Sequence, residues 1–167
     1  NWTGGQYPQA GDTAVIASNA TVLLTNSTAV LDSLTLTNAT LVFSNWNTRL
    51  MATNVTIYGT IKHVLNTATT TNGSGGWDSN ARVSIVCSNL ILATGGKIDT
   101  TGLGYYGFYV GLNGFNQGAG PGGGGSWSGG GHGGHGGNTG GGMPYDITNA
   151  PVEPGSGGGN GNGGGGG

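Results

Sequence analysis

An all-β fold, a parallel β-helix or solenoid carrying an appended array of polyglycine-II-like extended helices, is what three features of this sequence predict. Short runs alternating β-branched or apolar residues with polar ones recur through the first two-thirds of the chain. Their apolar pairs return at a near-constant interval: Leu34 and Leu36 come back as Val55 and Ile57, and Leu41 as Ile61. Beyond residue 101 the composition changes abruptly, and 31 of the 40 glycines fall in 102–167.

In order, the strand-like runs are TAVI (13–16), TVLL (21–24), SLTL (33–36), TLVF (40–43), NVTIYG (54–59), GTIKHV (59–64), RVSIV (82–86), NLILA (89–93) and KID (97–99). Each is bounded by Asn, Ser, Asp or Gly, and none is long enough for a helix. A repeat of about 20 residues, built of short strands and polar corners, suits rungs stacked on one another. A β-sandwich is the alternative, because strands at this spacing serve both architectures; the runs do not end in the Asn-Gly turns that mark hairpins. The polar stretch 66–81 is expected to be a loop extruded from the stack. The predicted organisation is rungs over 1–101 and a glycine-rich segment over 102–167, packed on them.

Glycine tracts are flexible linkers or ordered arrays. Glycine loses the most backbone freedom on ordering, yet extended three-per-turn helices pack closely when nothing projects from them. Here the tract is interrupted in register, with Ser126, His132, His135 and Asn138 spaced by multiples of three, and MPYDITNAPVEP is expected to turn the chain back. Order is therefore expected over 118–142 and 155–167.

Composition excludes several functions. Charged residues make up 6 % of the chain, against about 25 % in ordinary soluble domains. Four Lys and Arg cannot neutralise many phosphates, so nucleic acid is not an expected partner. No apolar run approaches the roughly 20 residues of a membrane-spanning helix. The single cysteine, Cys87, sits in VSIVCSNLILA and reads as a buried structural thiol. Beginning at Asn1 and ending within a glycine run, the chain is expected to be a processed piece of a longer secreted protein.

The stretch 1–64 carries a resemblance. Trp2, Pro8, Gly11-Asp12, Val15, Val22 to Leu24, Leu34 to Leu36, Leu41 to Phe43, Leu50 to Ala52 and Gly59 to Ile61 follow one another in the order seen in the eight-glycine extracellular domain. That domain occurs in fibrocystin-like and hyaluronan-associated cell-surface proteins. Asn38-Ala39 stands where the family often has glycine, and Lys62 replaces its second closing glycine. From about residue 82 onward, GGKIDTTGLGYYG, PGGGG and GGGHGGHGGNTGGGMPYD resemble glycine-rich segments of very large secreted surface proteins associated with adhesion and extracellular fibres. The resemblances imply a secreted, cell-surface location.

Four sets of residues could carry chemistry or contact. His132 and His135 are weak metal candidates: three residues of such a helix span about 9 Å, wide for one ion and natural for hydrogen bonds to a neighbouring segment. No cofactor is expected. Asp12, Asp32 and Asp99 stand at turns or strand ends, where side-chain-to-backbone bonds explain them, and no nucleophile elbow or phosphate loop is present. No catalytic residue is therefore assigned. Tyr105, Tyr106, Phe108, Tyr109 and Trp127 form either a packing plug or subunit contact, or a sugar-stacking surface. Asn1, Asn19, Asn26, Asn38, Asn54 and Asn72 are Asn-x-Ser/Thr acceptors. Asn19, Asn38, Asn54 and Asn72 follow one another at close to one rung each, which suggests one face bearing either N-glycans or a bare Asn/Thr ladder.

These readings converge on a non-enzymatic extracellular structural protein, a subunit or repeat of a surface filament or adhesive stalk that self-associates. A carbohydrate-binding adhesion module is the alternative, and an ice-binding surface a third.

Overall fold

The computed structural model describes residues 2, 5–67, 71, 76–107, 109–110, 116–147 and 149–159. It is all-β, with no helix among the described residues. Two compact units are present, one comprising Asn1–His63 and Val83–Asp99, the other Val64–Arg82 and Thr100–Gly167.

The first unit is one open sheet of parallel strands: β1 (Thr13–Ile16), β2 (Thr21–Leu24), β3 (Leu31–Phe43), β4 (Leu50–His63), β5 (Ile85–Leu92) and β6 (Lys97–Ile98). β1 and β2 both pair with β3, β3 with β4, and β4 with both β5 and β6. Every pairing is parallel. The register sets Ala14 beside Leu34 beside Val55, and Ile16 beside Leu36 beside Ile57; Leu41 lies beside Ile61 and Phe43 beside His63. All of these side chains are buried. The columns they form are the inward faces of the runs whose recurrence the sequence displays. Burying a side chain of the size of Leu or Ile stabilises by roughly 1.5–3 kcal/mol.

Two runs read as separate strands are parts of one. SLTL and TLVF lie within β3, whose register shifts between Thr37 and Thr40. There the chain bends at Asn38, with φ of 46°, and the corresponding turns between β1 and β2 and between β5 and β6 carry Asn19, φ 58°, and Gly95, φ 84°. Asparagine enters this left-handed region more readily than other residues with side chains, which is how Asn38 stands where glycine is expected. The next corner residue is constrained differently: a Cβ on Gly59 would fall on the carbonyl oxygen of Ala39.

Outside the apolar columns, polar side chains tie strand to strand. Ser33 Oγ donates to Thr13 Oγ1 at 3.1 Å, and Asn89 Nδ2 to Asn54 Oδ1 at 2.9 Å. Thr28 Oγ1 accepts from Met51 N at 2.8 Å and Asn45 Nδ2 donates to Thr25 O at 2.9 Å. Cys87 is half-buried rather than fully buried, because it lies on β5, the last strand of its sheet path.

In the second unit, the stretch expected to be an extruded loop is anchored: Asn66 N donates to Leu103 O at 3.1 Å, and Ser79 Oγ lies 2.7 Å from Tyr105 Oη. The only regular pairs among its described residues are the antiparallel β7 (Tyr109–Val110) with β8 (Asn116–Gln117) and the bridge Thr71 to Trp77. The glycine segments instead bond through their backbones: Gly124 N to Gly157 O, Gly125 N to Gly140 O and Gly142 N to Gly129 O at 3.0, 2.9 and 3.0 Å. A Cβ on Gly118 would overlap the carbonyl of Gly157, and one on Gly142 that of Gly122, so these approaches require glycine.

Replacing Ile57 by Ala is expected to lower the unfolding free energy by about 2–5 kcal/mol. Val15→Ala, at an exposed position of β1, should change it by about 0.5 kcal/mol or less. Denaturant titration of both variants measures the difference.

Candidate functional site

A dense polar cluster lies in the second unit around the MPYDITNAPVEP break. Asp146 adopts a left-handed backbone, φ 70°, and its side chain is 5 % exposed. Its carboxylate accepts from Ile147 N at 2.7 Å, Val152 N at 2.6 Å and Glu153 N at 2.7 Å, with His132 Nε2 at 3.4 Å. The backbone N–H donors, that of Glu153 foremost, hold its pKa down to about 2. With both oxygens engaged, the carboxylate clasps the loop shut.

Two phenols flank the clasp. Tyr145 donates its hydroxyl to Pro154 O, its ring lies 4.9 Å from that of His132, and burial pushes its pKa up to about 12. Tyr105 is fully buried with Trp77 edge-on at 5.7 Å, and burial raises its phenol as well. Ser79 Oγ links Tyr105 to Glu153 Oε2, which it reaches at 2.8 Å. Both phenols are therefore protonated donors at neutral pH, each serving a fixed internal acceptor.

The predicted site residues separate accordingly. Tyr105 is buried and takes the packing role, whereas Tyr106 is exposed and Trp127 is 69 % exposed at φ 61°. Phe108 lies outside the described residues, and of Tyr109 only the backbone position in β7 is described. His132 meets Asp146 and Tyr145, while His135 is exposed. Among the described residues no group of three or more His, Cys, Asp or Glu could hold a metal ion.

The expectation that Ser126, His132, His135 and Asn138 share one edge of one extended segment is corrected. Turns closed by Ser128 N to Gly125 O and Gly141 N to Asn138 O, with bends at residues 132–134, interrupt the register. Asn138 instead bonds Trp127 O through its side chain at 3.1 Å. Glycine permits these reversals at little steric cost.

The acceptor asparagines likewise fall on different lines. Asn19 and Asn38 are neighbours at one corner, Asn19 N bonding Asn38 O at 2.7 Å, and both are exposed, as is Asn26. Asn54 stands instead in register with Ser33 and Asn89, half-buried, with its amide engaged. Asn1 and Asn72 lie outside the described residues. Beside the Asn19/Asn38 corner is a shallow polar groove of about 320 Å³, lined in part by Asn38, Thr40, Tyr58 and Thr60.

Sequence reasoning did not single out Asp146, Glu153 or Ser79. The one available signal was an aspartate placed just before a proline-bounded loop in a chain nearly devoid of charge.

The family model of the G8 domain matches residues 1–102. The chain belongs to the G8 domain family. G8 is an extracellular domain family, and the match covers the first unit and continues past Val64, where the resemblance written in the sequence stops. Comparison with curated proteins and with solved structures finds no match. No helix among the described residues is long and apolar enough to cross a membrane.

Asp146 generates an acid-dependent stability. Its folded pKa of about 2 lies below its ordinary 3.8, so the contribution is complete above about pH 5 and is lost as pH falls through about 2. Thermal melts between pH 5 and pH 2 should show a steeper decline for the native chain than for Asp146→Asn, which starts lower at pH 5 and lacks this titration.

Proposed function

We propose that this G8 protein is a non-enzymatic structural module of an extracellular filament or adhesive stalk, with its parallel strands stacked as β-solenoid rungs and its glycine segments running as polyglycine-II-like extended helices. The observation that carries the reading is the bonding of the segment 117–125. This segment folds back on itself, Gly123 N bonding Gly120 O and Gly118 N bonding Gly124 O, and also exchanges backbone hydrogen bonds with Tyr106, Gly131, Gly140 and Gly157, residues of four separate stretches. A strand in a sheet has neighbours on two sides only. Backbone bonds in so many directions cross-link the glycine segments, which suits a stiff rod better than a linker. The near-constant register offset, with Thr13 beside Ser33, Thr21 beside Thr40 and Ser33 beside Asn54, supports the solenoid in the same way.

The mechanism is mechanical. Tension is borne by backbone hydrogen bonds, and a net charge of only -2 leaves little repulsion between copies. The exposed acceptors Asn19, Asn26 and Asn38 are where N-glycans would be carried, and the protein's place is extracellular. Electron microscopy of native material is expected to show filaments with an axial repeat, and peptide mass mapping of the same material to find glycans at one or more of these three asparagines. Isolated particles throughout would sink the filament.

A carbohydrate-binding adhesion module is favoured by one pair of features: the exposed indole of Trp127 and the polar groove beside exposed Tyr58, which offer aromatic faces next to amides and hydroxyls. Trp127→Ala and Tyr58→Ala on a glycan array separate the readings. Saturable binding lost in either variant establishes the module, and binding by neither variant nor parent excludes it. Tyr105→Ala is unsuited to that test, because removing this buried ring disrupts packing.

A further inference from the structure

We propose that a groove lined by β1 and the arm ahead of it binds a neutral saccharide. Its volume is about 470 Å³, within the range of small-molecule sites, and every residue lining it lies in 2–15, inside the first unit. Trp2, Tyr7 and Val15 supply the apolar part of the lining, and Gln6, Gln9 and Asp12 the polar part. The groove shares no residue with the one beside Tyr58 and does not include Trp127. It adds a site to the adhesion reading and is independent of the filament reading.

The lining is held in place by the fold itself. Trp2 packs against the core cluster. The turn at 9–12 is closed twice, Asp12 N donating to Gln9 O at 3.2 Å and Gln9 N to Asp12 Oδ2 at 2.8 Å. Gly11 N ties the turn to Val30 O at 2.9 Å, and Gln9 Nε2 donates to Tyr7 O at 2.9 Å. These bonds engage one oxygen of Asp12 and the amide nitrogen of Gln9. Among the described residues, Asp12 Oδ1, Gln9 Oε1 and the Gln6 amide have no hydrogen-bond partner, and the Tyr7 ring is 73 % exposed. A lining fixed in this way loses little freedom on binding.

Those groups select the class of ligand. An aromatic ring takes the C–H face of a sugar, while amide and carboxylate oxygens accept from its hydroxyls. A wholly apolar ligand would cover Gln6, Gln9 and Asp12 without giving them partners. An anionic ligand finds no counter-charge: Asp12 is the charged residue of the lining, and no Lys or Arg precedes Arg49 in the sequence. A cationic ligand gains little from a carboxylate that is exposed and already holds the Gln9 amide. A neutral sugar uses both the apolar and the polar part of the lining.

A glycan array probed with the full chain tests this. It carries neutral oligomers of glucose, galactose, mannose and N-acetylglucosamine, their uronate and sialylated counterparts, and cationic chitosan oligomers. Saturable binding to neutral members is expected, stronger than to any acidic or cationic one. Tyr7→Ala should weaken it by about tenfold through loss of the stacked ring. Asp12→Asn keeps an acceptor for Gln9 N but puts an N–H₂ in place of the free oxygen, so it should weaken binding while leaving the thermal melt near the parent's. It serves if Tyr7→Ala does not melt cooperatively. On titration with the tightest neutral member, the largest amide shift changes should fall within 5–15. No binding, preference for acidic or cationic members, or shift changes centred elsewhere would overturn the proposal. Binding lost in Trp127→Ala or Tyr58→Ala but not in Tyr7→Ala overturns this site while upholding the adhesion reading, and the filament reading is judged separately by microscopy.

Discussion

Everything in this protein depends on satisfying backbone hydrogen bonds with very few charged side chains. A buried peptide group left unpaired costs about as much as a lost hydrogen bond, so each segment needs a neighbour in register. The first unit meets the demand with parallel strands whose inward columns fix which residue sits beside which. A slip of a single position would turn the whole apolar set outward. The second unit meets it with glycine segments approaching closely enough for Gly124 to reach Gly157 and Gly142 to reach Gly129. One unit is aligned by what its side chains bury, the other by having almost none.

The legibility of the two units follows from that difference. Leu34, Leu36, Leu41 and their partners one rung on, Val55, Ile57 and Ile61, could be read because inward columns leave a periodic trace in the sequence. The union of SLTL and TLVF in one strand could not, since it depends on Asn38 taking a left-handed bend without ending the pairing. Glycine segments leave no trace, so the turns ending at Ser128 and Gly141 were hidden within what reads as a uniform tract. The stretch 66–81 reads as a loop because it is polar, and its anchorage depends on partners such as Tyr105 that lie far off in sequence. The aromatic cluster was visible as composition, but burial of Tyr105 and exposure of Trp127 are decided by packing.

Asp146 shows how much one charge can do in such a setting. Three backbone N–H groups converge on it, and a charged acceptor bonds them more strongly than a neutral one would. The Asp146 carboxylate holds three amides of the loop that returns the chain toward Ser156, and the Tyr145 hydroxyl and Ser79 tie the same loop at Pro154 and Glu153. Buried polar groups of this kind give the second unit the specificity that its glycine segments, lacking side chains, cannot supply.

The scarcity of apolar side chains in the glycine segments also separates the two units calorimetrically. Apolar surface exposed on unfolding raises the heat capacity and polar surface lowers it. Melting the leucine- and isoleucine-lined columns of the first unit carries the usual large increment and a strongly curved stability profile. Opening the glycine segments exposes mainly peptide groups, so their increment is small and their stability nearly linear in temperature. Cooling weakens hydrophobic burial but not this backbone lattice, and the glycine unit is the part of the molecule least troubled by cold.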